Sequence, residues 1–325
     1  MLIFRRMSCN GVFSRISSLS CRPTKVIATT SWRRCYYKFN QRTFHQTASF
    51  PTARRTSFKP HKMNETVPNE QQESSFPKQL RESIVNSMKY KERSHQTLEE
   101  VHKPGLESIP PVTNDSDPPC FDVIFIGDSM LERLKTTGKN TKLHNLPRSF
   151  NLGVGGDKVE NVLYRLHTGY ISLLERRPTK LWVVHIGSNN LRPKKGLKDS
   201  DPSDYSNFAL LIKTLRVLSP KSKVLVTGLF RRKDISDEII RTTNEKLARV
   251  LCDLDSLPDR VPGTSSNAAV ESGRLLWEKP TEAVNTDLLA DHVHLNEEGY
   301  QLWDESMYLR ILEILGEPAP SQGAD

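Results

Sequence analysis

Four short segments carry the side chains with the most chemical use, and they fall in one order along the chain. They are Gly127-Asp128-Ser129, residues 151–157, Gly187-Ser188-Asn189-Asn190, and residues 291–294. A serine hydroxyl needs a neighbouring base to lose its proton, and the base needs a third group to hold its tautomer. Ser129 supplies the hydroxyl. Asp291 and His294, three apart on a turn, can reach each other. The glycine-rich stretch 153–157 can aim a backbone N–H at an oxyanion, and Asn189 can add a side-chain N–H. Together these are the parts for acyl transfer by a serine nucleophile. Other readings share the same residues. His292 and His294 alternate as a metal pair would, although no cysteine or carboxylate cluster supplies a third ligand. The glycines could cradle a phosphate, but no Lys-Ser/Thr follows them as a P-loop requires. Asp128 suits a turn-fixing role through local hydrogen bonds.

These segments need a frame that brings them together. Residues 122–126, 181–186 and 223–227 are short apolar runs, each closed by a glycine. Such runs suit strands of a parallel sheet covered on both faces. Residues 149–152 read as a weaker fourth strand and 274–277 as a fifth. Helical periodicity fills the gaps: Val159, Val162, Leu163, Leu166 and Tyr170; Phe208, Leu211, Ile212, Leu215 and Leu218; Ile240, Leu247, Leu251 and Leu254; Tyr300, Trp303, Met307, Ile311 and Leu315. Strands alternating with helices predict a three-layer α/β/α sandwich with a central parallel sheet and flavodoxin-like strand order. Ligands of such sheets bind beyond the carboxyl ends of the strands, where all four segments fall.

The chain has 325 residues and a formal net charge of +9. That charge is unevenly spread. Residues 1–64 hold thirteen Lys or Arg and no acid, which leaves 34 basic against 38 acidic residues beyond them, a net of −4. The body is mildly acidic, which argues against nucleic-acid binding. The basic leader, 1–64, is rich in Arg, Ser and Thr, and Arg42, Phe44 and Thr47 match a presequence cleavage pattern in type and spacing. It reads as a mitochondrial transit peptide. The alternative is a cytoplasmic protein with a basic tail or a start at Met63. Residues 65–117 read as a polar linker with one short helix within 77–93, on which Leu80, Ile84 and Met88 share a face, followed by proline-rich extended chain. The catalytic domain is expected over 118–316 and a disordered tail over 317–325. Cys120 and Cys252 stand alone in the body, so no disulfide framework is expected. No apolar run reaches the length of a membrane span.

Residues 122–130, 151–157, 162–166, 187–190, 228–229 and 294–300 together resemble the SGNH/GDSL hydrolase superfamily. Within it, they look like the catalytic α subunits of platelet-activating factor acetylhydrolase type Ib. The likeness covers about residues 120–315. It implies that Ser129 is the nucleophile, that Gly156 and Asn189 join the Ser129 amide in an oxyanion hole, and that Asp291 orients His294. It implies a metal-independent esterase for a small, acetyl-like acyl ester, working without a cofactor, with a homodimer and a WD-repeat partner as family traits. Acetyl esterase action on carbohydrate and a non-catalytic scaffold on the same fold are the alternatives. Asn190 stands where the superfamily more often has Asp, and Lys158 where those subunits have Thr. Residues 255–289 look longer and more polar than theirs and are expected to border the pocket.

Overall fold

The computed structural model describes residues 76–114, 116–256 and 273–318. The expected leader 1–64 and most of the expected tail 317–325 lie outside them. Five strands form one parallel sheet: β1 (Phe121–Gly127), β2 (Ser149–Gly153), β3 (Thr179–His185), β4 (Lys223–Thr227) and β5 (Leu275–Glu278). Their order across the sheet is β2-β1-β3-β4-β5. This is the flavodoxin-like order expected from the sequence. The weak strands β2 and β5 take the two edges, which explains why their signal was faint: an edge strand has only one neighbour to pack against.

Alternation along each strand divides the core in two. Ile124, Ile126, Trp182, Val184, Val224 and Val226 face one side. There they meet α5 (Val159–Arg165), α6 (Ile171–Leu174), α7 (Asp204–Leu218) and α8 (Asp237–Ser256). Val123, Phe125, Leu181, Val183 and Leu225 face the other side, against α4 (Ser129–Glu132) and α9 (Glu297–Leu315). The result is a three-layer α/β/α sandwich. Local signals set the helix ends. Ser203 accepts from the Ser206 amide to cap α7, and Asn296 accepts from Gly299 N at 2.8 Å to cap α9. Among the described residues no helix is long and apolar enough to cross a membrane.

One sequence expectation needs correction. Residues 65–117 were expected to hold one short helix. The first helix, α1 (Lys78–Ser87), is there and buries Ile84. A second helical run follows: α2 (Glu92–Thr97), a π turn (Leu98–His102) and α3 (Lys103–Glu107). Its inner stripe is Ser94, Leu98, His102 and Leu106, all essentially without solvent exposure. Two of these four are polar, so the stripe has no hydrophobic period to read. Residues 76–109 are therefore a strap built into the same core as α5 and α7.

Residues 255–289 were expected to border the pocket. Asp255 Oδ2 accepts from Gly273 N at 2.8 Å and Oδ1 from Leu275 N at 3.1 Å, at the start of β5. The end of α8 is thereby held to the start of β5, at the amino ends of the strands. Residues 257–272 of this segment lie outside the described residues, and the chain after β5 continues from the carboxyl ends of the strands.

Candidate active site

β1 leads into the segment that carries Ser129. Gly127 pairs in register with Gly153 of β2 and His185 of β3. A Cβ at Gly127 would stand 1.8 Å from the His185 carbonyl oxygen, so only glycine lets the strands close here. Asp128 then turns the chain: its buried carboxylate accepts from Met130 N at 3.0 Å and caps α4, as its expected turn-fixing role requires. Ser129 opens that helix and is 7% exposed. Across the sheet edge, Tyr300 of α9 donates its hydroxyl to the Met130 carbonyl at 2.8 Å. That bond ties the start of α9, and the loop before it, to α4.

The loop between β5 and α9 carries the imidazole. Ala290 N donates to the His294 carbonyl at 2.8 Å, and Leu289 and Leu295 form an antiparallel bridge. The enclosed turn is closed by Asp291, whose Oδ1 accepts from Val293 N and His294 N, each at 2.8 Å. The other carboxylate oxygen lies 2.7 Å from His294 Nδ1. His294 Nε2 lies 2.8 Å from Ser129 Oγ, across 165 residues of sequence. Burial pushes the Asp291 carboxyl up, but the His294 and Val293 amides and the His294 ring outweigh it and hold the acid well below the usual carboxylate range. An ionised Asp291 accepts a hydrogen bond from Nδ1–H, which leaves Nε2 as the acceptor facing the serine hydroxyl. Both nitrogens of His294 are thus engaged, Nδ1 by Asp291 and Nε2 by Ser129. Among the described residues no group of three His, Cys, Asp or Glu could hold a metal ion.

Gly156, expected in an oxyanion hole, lies in the turn after β2. Asp157 N donates to the Val154 carbonyl at 3.2 Å, and Gly156 has φ 74°, so residues 154–157 form a turn that favours glycine at its third position. Asn189 comes from the loop after β3 and donates through Nδ2 to the Asp157 carbonyl at 2.9 Å. Its second amide hydrogen remains for a ligand. Ser129, His294, Asp291, Gly156 and Asn189 thus all sit at the carboxyl edge of the sheet.

A model of the GDSL-like lipase/acylhydrolase family matches residues 125–302, from β1 into α9. The chain belongs to the GDSL-like lipase/acylhydrolase family. It is 28% identical over 130 residues to platelet-activating factor acetylhydrolase IB subunit alpha2 of Homo sapiens, covering 40% of this chain and 52% of that protein. The alpha2 subunit of Gallus gallus is 29% identical over 139 residues, covering 42% and 56%. The chain thus spans about half the length of the curated relatives it matches. Among solved structures, a lipase/acylhydrolase from Enterococcus faecalis superposes with a TM-score of 0.41 at 17% identity, covering 62% of this chain and 100% of that one.

Sequence reading of this GDSL-like acylhydrolase missed the groups that hold its site from behind. Asp157 and Arg165 are both fully buried. Arg165 Nε donates to Asp157 Oδ2 at 2.9 Å and Nη1 to the Leu152 carbonyl at 2.7 Å. Ser94 of the strap donates to Asp157 Oδ1. Arg165 also donates to the Tyr170 hydroxyl, which meets His102 Nδ1 at 2.6 Å. Burial, aided by Arg165, pushes His102 down to about 2, so it stays neutral. Asn190 accepts from Val159 N at 3.1 Å and donates to Glu160 at 3.0 Å and Asp204 at 2.9 Å. The motif spacing marked Asp157 and Asn190, but their partners show only in three dimensions.

Proposed function

We propose that the protein is a serine ester hydrolase that cleaves a small acyl ester through an acyl-enzyme. The observation that carries this reading is the chain of contacts from Ser129 Oγ to His294 to Asp291, at 2.8 and 2.7 Å. Ser129 Oγ attacks the ester carbonyl carbon as His294 Nε2 takes its proton. The tetrahedral oxygen accepts from Ser129 N–H, Gly156 N–H and the free hydrogen of Asn189 Nδ2. Collapse expels the alcohol, which takes the proton from His294. Water then attacks the acyl group, again with His294 as base, and releases the carboxylic acid and free Ser129.

Likeness to the acetylhydrolase subunits supports a short acyl chain such as acetyl. The test is turnover of p-nitrophenyl esters of graded acyl length, with Ser129→Ala as control. The expected result is turnover that falls with acyl length and is lost in Ser129→Ala, together with labelling of Ser129 by a fluorophosphonate. Equal turnover by Ser129→Ala would overturn the proposal. A folded protein that neither turns over esters nor reacts with the phosphonate would favour a scaffold on this fold.

A further inference from the structure

The strap brings a lysine to the back of the oxyanion turn. Lys91, between α1 and α2, donates from Nζ to the Gly155 carbonyl at 3.0 Å. The same Nζ lies 3.6 Å from Asp157 Oδ1 and 2.8 Å from where a Cβ on Gly156 would stand. Neighbouring bonds fix the segment that carries it. Lys89 N donates to the Glu160 carbonyl at 3.0 Å, and Asn161 Nδ2 donates to the Lys89 carbonyl at 3.0 Å. Arg93 Nη2 pairs with both oxygens of Glu132 at the end of α4, at 2.9 and 3.1 Å. The strap thus clamps the nucleophile helix and the glycine turn together.

The carbonyl that Lys91 holds has a special position. Gly155 C=O and Gly156 N–H belong to one peptide unit. In a trans peptide the two point in opposite directions, so fixing one aims the other. This unit is the middle peptide of the 154–157 turn. Type I and type II turns differ chiefly in the facing of that peptide, which rotates by about 180° between them. Gly156 has the positive φ of the type II form and Gly155 does not share it. With glycine on both sides, side-chain sterics put little weight on either facing. An outside contact must select one, and an ammonium on the carbonyl does so while polarising the amide towards stronger donation.

We infer that Lys91 is a positioning residue of the oxyanion hole, which through the Gly155 carbonyl sets the facing and donor strength of the Gly156 N–H. The inference rests on the serine hydrolase reading above. Because the oxyanion exists only in the transition state, Lys91 acts on kcat and not on ground-state binding.

The experiment uses the full chain and compares wild type, Lys91→Met, Lys91→Arg and Lys89→Met. Lys89 is an exposed cation on the same segment, paired with Glu160, and it does not touch the turn carbonyl. Hydrolysis of p-nitrophenyl acetate, affinity for a boronic acid that forms a tetrahedral adduct with Ser129, and thermal midpoints are measured. Removing an oxyanion donor outright costs about 10²–10³ in rate, so releasing one to rotate is expected to cost about 10–10². Lys91→Met therefore lowers kcat by that factor with KM within about twofold, and weakens the boronate in proportion. Lys91→Arg restores most of both, and Lys89→Met changes neither. A lower midpoint with kcat and boronate affinity intact would make Lys91 only a counter-ion for Asp157 and overturn the inference. Should Lys91→Met not fold, Lys91→Arg decides: folded, it must keep kcat and boronate affinity, and loss of both overturns the inference. Absence of wild-type turnover and of phosphonate labelling would remove the hydrolase reading and this role with it, whereas normal wild-type turnover with an unaffected Lys91→Met removes only the role.

Discussion

Arg165 and Asp157 form an ion pair from which water is wholly excluded, with Nη2 and Oδ2 2.9 Å apart and neither side chain exposed. Removing one partner of such a pair strands a charge in low dielectric and costs about 3–5 kcal/mol. Lys91 and Ser94 also face Asp157, so Arg165→Met is expected at the lower end, about 3 kcal/mol. The Asp157 carbonyl positions Asn189, so activity should fall along with stability. Urea unfolding checks this. A loss below about 1 kcal/mol would mean that the pair is not the anchor of the turn. The double variant Arg165→Met/Asp157→Asn should recover part of the loss, because it leaves no unpaired ion.

Asp291→Asn tests how the imidazole is held. The asparagine oxygen can still accept from the Val293 and His294 amides, so the turn persists. Its NH₂ group then faces His294 Nδ1 and favours the tautomer with the proton on Nε2. That nitrogen can no longer accept from Ser129 Oγ. Loss of a carboxylate in this role can cost up to about 10⁴ in kcat. The expected outcome is a fall of at least about 10² with an unchanged melting midpoint. Undiminished turnover would show that Asp291 is dispensable.

How much of this could be read from the chain follows from what kind of signal each part leaves. The five strands and the helices of the sandwich were legible because burial on both sheet faces forces apolar runs and apolar periods. Ser129, Asn189, Asp291 and His294 stood out because their residue types are chemically restrictive and placed where strands end or just before the last helix. The strap was half legible: α1 has an apolar face, but Ser94 and His102 replace apolar residues on the buried stripe of the second run. Their acceptability depends on Asp157 and Tyr170, 63 and 68 residues away. No local pattern encodes such a match. Lys91 is illegible for the same reason, since its partner is a backbone carbonyl.

Asp128, the buried cap of α4, should make stability depend on pH. Burial pushes the Asp128 carboxyl up to about 7, against the opposing pull of the Met130 amide. An acid raised in the folded state binds its proton more tightly there than in the unfolded chain. Its contribution to stability therefore falls as pH rises from about 4 towards about 7, and levels off above. Asp128→Asn keeps an oxygen to accept from Met130 N and removes the titration. Across pH 5 to 8 the melting midpoint of the variant should rise relative to wild type. A constant difference between the two over that range would rule out a raised Asp128.

Asn190 stands where the superfamily more often carries Asp, and its surroundings explain the exchange. Its NH₂ group donates to two carboxylates, Glu160 Oε2 at 3.0 Å and Asp204 Oδ1 at 2.9 Å. Burial pushes Glu160 up, but its own amide, Asn190 and Lys89 outweigh that and keep it ionised. An aspartate at 190 would replace two donated bonds with repulsion among three acids. Hydrogen bonds to charged groups are worth about 1.5–3 kcal/mol each, so losing both is expected to make Asn190→Asp cost about 3–6 kcal/mol at neutral pH. The new acid would be raised in the folded state, so its penalty is present above the unfolded carboxylate range and shrinks as pH falls. Unfolding of wild type and variant at pH 7.5 and 5.0 measures this. A penalty that does not shrink at the lower pH would mean that Asn190 is selected by shape and not by charge.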